Sequence, residues 1–330
     1  MSLVKQAYSR FRSFGGLRLL REYIRLGLAG FVLNRVLLGL LKGYSLKRIY
    51  AQIGERTSRI LCERYRAVTE ERLALYDSMG LEHKRSGTVW FCWLQGMEDA
   101  PLLVKACLNA VRTNMPDREV IVITKENYNS YVSLPDFIVG KWERGIMPPA
   151  MFADLLRLEL LISHGGVWID STVLCTGWEN NEWLRRNAEA AMDSDLFFFR
   201  YVSGKTKRFA GIGNWFIAAK TNNTALMVLR DVLVEYWKDY DCVLDYYIFH
   251  RLFSLIAAIK PQIVDEMPKG LCVPCLQLGH RLADRFDEEW WKSVTGSVCF
   301  HKMNYRKERE AMRIKDSYCS HIVEMFSDEQ

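Results

Sequence analysis

The side chains best suited to chemistry in this 330-residue chain lie close together, in the stretch 151–176, MFADLLRLELLISHGGVWIDSTVLCT. Asp154 and Arg157 interrupt one apolar run, and Asp170 closes a second, followed at once by Ser171 and Thr172. An ionised group in apolar surroundings is costly unless it is paired or used. Three such groups within 17 residues suit a site that binds the hydroxyls and charged parts of a polar ligand. The competing reading is structural: an i, i+3 ion pair worth a few tenths of a kcal/mol, and an Asp-Ser-Thr turn or helix cap.

The elements that must position these groups can be read from periodicity. At 100° per residue, Asp154 and Arg157 fall about 60° apart on one helical face. Leu155, Leu156, Leu160 and Ile162 cover most of the remaining circumference, as in a buried helix. Pro148-Pro149 suit its first turn, and His164-Gly165-Gly166 its left-handed cap. Val167, Trp168 and Ile169 form the short apolar run of a strand covered on both faces. Asp170 then falls at that strand's carboxyl end, where open α/β sheets bind ligands.

The ensemble resembles the sugar-binding region of the family-32 glycosyltransferases, and more closely the capsular polysaccharide synthesis protein family. The carrying motifs are Ala153-Asp154-Leu155-Leu156-Arg157 and Gly165-Gly166-Val167-Trp168-Ile169-Asp170, the last Asp opening a D-x-D motif. Val89-Trp90-Phe91-Cys92-Trp93-Leu94-Gln95-Gly96, the segment 119–124, Asn214-Trp215-Phe216-Ile217-Ala218-Ala219 and His301-Lys302 follow in family order. The similarity spans about residues 87–305. It implies an α/β fold with a GT-A-like single Rossmann-type nucleotide-sugar-binding domain. The activity it implies is glycosyl transfer from a nucleotide sugar, UDP-linked foremost, to a hydroxyl of a growing surface glycan, with retention of anomeric configuration.

Site roles follow from the same resemblance. Asp170 is the catalytic carboxylate at the donor. Asp154, Arg157 and Asn214 hold the donor sugar, and Trp93, Gln95 and Lys302 the nucleotide and its diphosphate. A divalent cation, Mn²⁺ or Mg²⁺, rests on Asp170, Thr172 and His301. The sequence departs from D-x-D here, since Thr172 stands at the third position, leaving one carboxylate for an ion that prefers oxygen ligands. Asp245 is a candidate base if the reaction inverts, against an N-cap role; Trp93 and Trp215 are ligand platforms or core aromatics. The alternative function is a catalytically inactive sugar-binding or membrane-associated assembly protein, a reading that Thr172 favours.

Composition is compatible with an enzyme core: 49% of residues are hydrophobic and 12% aromatic. Nine scattered cysteines read as reduced, buried thiols of a reducing, cytoplasmic compartment. Cys272-Val-Pro-Cys275 lacks the second pair of a zinc site.

The net charge of +6 is uneven: residues 1–50 hold ten Lys or Arg against Glu22, giving +9, and the rest of the chain carries −3. With Phe11, Phe14, Leu17, Leu19, Leu20, Tyr23, Ile24 and Leu28 between these charges, the leader fits a helix lying on an anionic membrane at the inner face of the plasma membrane. A helix packed on the catalytic domain is the rival reading. Leu26–Leu41, broken by Asn34 and Arg35, is too short to span a bilayer, and no motif supports nucleic acid as partner. The expected organisation is a basic leader over 1–50, a charged helical extension over 51–86, the transferase domain over 87–305 and a tail over 306–330. Within the domain, strands are expected at 88–94, 119–124, 196–202 and 214–219, and helices at 101–111, 221–240 and 245–259.

Overall fold

A computed structural model describes residues 3–178, 181–202 and 209–327. The chain divides into two units, one formed by residues 1–80, 133–159 and 224–264 and the other by 81–132, 160–223 and 265–330. The boundary at Glu159/Leu160 falls inside the helix Pro149–His164.

Every secondary-structure element described in the first unit is a helix. Its longest element, Leu46–Ser78, packs against the helices Thr224–Asp239 and Ile248–Ile259. The Ser45 hydroxyl accepts from the Arg48 amide at its start, satisfying one of the donors a helix N-terminus leaves open. Leu61, Tyr65 and Leu73 are buried along it, with Val232, Tyr236, Phe249 and Phe253 on the facing helices. Tyr65 and Arg64 both donate to Asp239 Oδ2, at 2.8 and 2.9 Å.

The second unit is built on a five-stranded sheet, and the expected α/β class is observed. In chain order the strands are β1 (Val89–Cys92), β2 (Val120–Ile123), β3 (Gly166–Asp170), β4 (Val173–Cys175), β5 (Leu196–Val202), β6 (Phe209–Ala219) and β7 (Phe300–Lys302). The sheet order is β2-β1-β3-β6-β5, with β2, β1 and β3 parallel and β6 and β5 antiparallel; β4 pairs separately with β7. The helix Leu102–Asn114 connects β1 to β2, as a parallel neighbour requires. β1 and β3 read Val-Trp-Phe-Cys and Gly-Val-Trp-Ile-Asp, and all but their last residues are buried. Such continuous apolar runs are what a doubly covered parallel sheet demands.

The glycine pair ahead of β3 has a steric reason. Gly165 and Gly166 have φ of +67° and +95°, and a Cβ on Gly166 would lie 2.3 Å from the Thr88 carbonyl oxygen. Only glycine brings the chain from the helix end into β3 so close to the residue preceding β1.

Two elements differ from the sequence reading. The strand expected at 214–219 begins at Phe209 and takes in Gly211-Ile212-Gly213, because β5 supplies backbone partners across Phe199–Tyr201. The helix expected from Asp245 begins at Ile248, since the Asp245 carboxylate bonds the Tyr247 amide at 2.9 Å and ends the preceding turn. Of the two readings open for Trp215 the structure takes the second, a core aromatic 5% exposed and stacked on Phe199 at 4.6 Å.

Candidate functional site

β1 and β3 run side by side in register, Cys92 against Asp170. The segment Trp93-Leu94-Gln95 and the Asp170 side chain therefore leave the same edge of the sheet, at the carboxyl ends of parallel strands. Open α/β sheets bind ligands there, because the backbone stops pairing and its polar groups face a crevice. Gly96, with φ of +83°, closes the turn after β1 through its amide bond to the Trp93 carbonyl.

Asp170 is held from two directions. Trp168, two residues back on the same side of the strand, donates its indole N–H to Asp170 Oδ1 at 2.9 Å. Lys302 donates its ammonium to Asp170 Oδ2 at 2.8 Å and to Thr172 Oγ1 at 2.7 Å. The lysine arrives through β7, whose register opposes Lys302 to Val173, while the Met303 amide bonds the Thr172 carbonyl. Thr172 is buried, but the Asp170 and Lys302 side chains keep 23% and 24% of their surface in solvent. The cluster is thus a charged group of three at a sheet edge, open to a ligand.

His301 does not join it. Successive residues of a strand face opposite sides, so the histidine next to Lys302 points away from Asp170. It is fully buried, its Nε2 lies 3.2 Å from the Thr176 hydroxyl, and burial pushes its pKa down to about 4. Of the expected cation ligands, Asp170 and Thr172 are brought together and His301 is set apart. Among the described residues no cluster of three His, Cys, Asp or Glu side chains has metal-holding geometry. One carboxylate and one hydroxyl, both already bonded to an ammonium, are a poor donor set for Mn²⁺ or Mg²⁺. The cation they hold in this structure is the Lys302 ammonium.

The other expected nucleotide residues are mixed. Gln95 is exposed in the turn after β1. Trp93 is half-buried and meets Tyr305 edge to face at 5.4 Å, with its indole nitrogen buried and without a hydrogen-bond partner among the described residues. Asn214 lies half-buried in β6, between the residues where the β5 pairing shifts register.

Asp154, Arg157 and Asp245 belong to the helical unit. Asp154 and Arg157 are each 5% exposed; Arg157 Nη2 lies 3.3 Å from Asp154 Oδ1, and its Nε donates to the Ala153 carbonyl at 3.1 Å. Arg157 also lies over the Phe249 ring, 5.9 Å from its centroid. The Asp245 carboxylate is buried beside Gly54 and accepts from Arg251 at 3.3 Å. Burial raises its pKa, against the opposing pull of the Tyr247 amide and Arg251.

Sequence reading missed Trp168 as the second holder of Asp170 and Tyr305 as the neighbour of Trp93. The i, i+2 spacing of Trp168 and Asp170 was a usable signal; nothing in the sequence pointed to Tyr305. Cys272 and Cys275 are buried, unbridged thiols, and burial raises both pKa values, that of Cys272 to about 12. All nine cysteines are free.

Residues 41–322 match the family model described as capsular polysaccharide synthesis protein. The chain belongs to that family. Membership ties it to capsular polysaccharide synthesis. No curated protein matches the sequence. Among solved structures, similarity extends to the PaToxG glycosyltransferase, with 12% identity, TM-score 0.37, and coverage of 64% of this chain and 83% of the other. It extends also to the catalytic domain of alpha-toxin from Clostridium novyi, with 11% identity, TM-score 0.30 and 90% of each chain covered.

Proposed function

We propose that the protein is a GT-A-like glycosyltransferase of capsule synthesis that moves a sugar from a nucleotide donor, UDP-linked, to a hydroxyl of the growing polysaccharide. The observation that carries this reading is the Asp170–Thr172–Lys302 cluster at the carboxyl ends of β1 and β3. It combines a carboxylate suited to donor hydroxyls with a cation suited to a diphosphate, at the edge where α/β sheets bind nucleotides.

The difficult step is departure of the nucleoside diphosphate, which gains negative charge as the glycosidic bond breaks. Fixed charges that need not reorganise at that moment lower the barrier most. Lys302 is such a charge: Asp170 and Thr172 hold its ammonium in place. We assign to it the neutralisation that the family resemblance gives to Mn²⁺ or Mg²⁺. Trp93 offers a ring beside the same edge for the base, and Gln95 and Asn214 offer amides for ribose or sugar hydroxyls. The family resemblance alone supports the remaining roles: Asp154 and Arg157 as donor-sugar ligands, Asp245 as base of an inverting route, and retention as the stereochemical course. The domain proposed to carry the reaction is 87–305, in a cytoplasmic protein.

Thermal stabilisation by UDP, GDP and CDP, with and without Mn²⁺, tests binding by mass action. Turnover of a panel of nucleotide sugars, wild type against Asp170→Ala, tests chemistry. Absence of stabilisation by all three nucleotides sinks the proposal. Stabilisation without turnover supports the second reading, a donor-binding protein without activity, which Thr172 in place of a carboxylate favours.

A further inference from the structure

Two consecutive helices of the N-terminal region leave apolar side chains uncovered, and the first of them buries its opposite side. In Leu17–Arg25, Leu19 and Tyr23 are buried, whereas Leu17, Leu20 and Ile24 are exposed, Leu17 by 80%. At 100° per residue these three span an arc of about 60°. Arg18, Arg21 and Arg25, all exposed, occupy the adjoining arc on the side away from Leu19. In Ala29–Lys42, Leu33, Val36, Leu37 and Leu41 are exposed, Leu41 by 82%. Gly27, at φ +67°, turns the chain between the two helices.

Seven large aliphatic side chains open to water on adjacent helices are not the scattered exposure of an ordinary surface. No described helix is long and apolar enough to cross a membrane. An apolar stripe bordered by arginines is the pattern of a helix lying in the headgroup region, apolar side toward the acyl chains and cations toward phosphate. We infer that Leu17–Arg25 and Ala29–Lys42 dock the protein on an anionic lipid bilayer, through Leu17, Leu20, Ile24, Leu33, Leu37 and Leu41, with Arg18, Arg21 and Arg25 at the phosphates.

Charge selects this occupant over a second copy of the chain. A two-fold contact would place the same patch on both sides, setting one set of arginines against the other. An anionic surface meets the +9 of residues 1–50, while the −3 of the remaining chain turns the rest of the protein away from it. This placement stands apart from the transferase reading, since none of these residues belongs to the proposed donor site.

The test is flotation of the full chain with phosphatidylcholine vesicles and with vesicles containing about one-third phosphatidylglycerol, at low and high salt. The variants are Leu17→Ser/Ile24→Ser/Leu37→Ser and Arg18→Ser/Arg21→Ser/Arg25→Ser, all at exposed positions; circular dichroism and thermal melting establish that each is folded. Wild type is expected to float with the anionic vesicles, to release in high salt, and to lose at least about tenfold in partitioning in either variant. Absence of flotation, or equal flotation with neutral and anionic vesicles, overturns the inference. So does an unchanged partition coefficient in a folded triple variant, or a wild-type dimer that the leucine variant converts to monomer without affecting vesicle binding. UDP stabilisation measured on the same variants reports separately on the donor site and is expected to persist.

Discussion

Replacing Lys302 with Met separates the structural weight of the Asp170–Lys302 contact from its proposed work on the donor. The methionine keeps the length of the stem and removes the ammonium. Without ligand, two hydrogen bonds of 2.8 and 2.7 Å disappear, but both charged side chains are about a quarter exposed and water takes over part of their solvation. The loss of stability is therefore about 1 kcal/mol or less, a fall in Tm of about 2–4 °C at most. With UDP bound, the same lysine faces charged phosphate oxygens, and removal of a charged hydrogen-bond partner there costs about 1.5–3 kcal/mol. At about 1.4 kcal/mol per tenfold, UDP affinity should fall by roughly 10- to 150-fold. Uridine, lacking phosphates, should bind the variant as it binds wild type. Titration calorimetry with UDP and uridine reads both quantities, and repeating it in EDTA should leave wild-type affinity unchanged. A UDP affinity reduced less than about threefold, a parallel loss for uridine, or wild-type binding that vanishes in EDTA would each refute the assignment of the diphosphate to Lys302.

Four further outcomes are expected. Gly166→Ala forces a side chain onto a positive φ and within 2.3 Å of the Thr88 carbonyl, so urea unfolding should show a loss of at least about 2 kcal/mol. Glu308 accepts from the Leu102 and Leu103 amides at 3.3 and 2.9 Å; Glu308→Ala should cost about 0.5–2 kcal/mol, as loss of an N-terminal cap does. Asp154→Ala removes one bonded partner of the buried Arg157, and a loss of about 1–3 kcal/mol is expected in the same assay; an unchanged stability would mean that the pair contributes nothing to it. His301 titrates at about 4 when folded and 6.5 in the ordinary state, so the unfolded chain binds the extra proton first as pH falls. Stability should be intact above pH 6.5 and decline toward pH 4 by at most about 3 kcal/mol from this group, a slope that His301→Gln should flatten in pH-dependent melts.

Much of the sheet could be read in the sequence because its strands are continuous apolar runs, buried in β1 and β3 and half-buried in β2. Val89–Cys92, Val120–Ile123 and Gly166–Asp170 were each visible as a short run bounded by glycine or polar residues. The pair β4–β7 was not, because three-residue strands are too short for an alternation to show. Gly211–Gly213 carried a turn signal that pairing with β5 overrode. Leu19 and Tyr23, apolar like Leu17 and Ile24, could not be told from them before packing showed which side of the helix is covered.

The chain alone determined that a buried helix with one acid and one arginine leads, through two glycines, into a strand ending in Asp170. Local period and the steric freedom of glycine suffice for that, since every contact involved is short-range. Folding alone decided which cation Asp170 touches. Lys302 lies 132 residues away, and only the register of β7 against β4 sends that lysine to the carboxylate and its neighbour His301 into the core. A side-chain period of two makes the choice absolute: one step of register would exchange the two, and no property of either residue, read in sequence, records which one the strand turns outward.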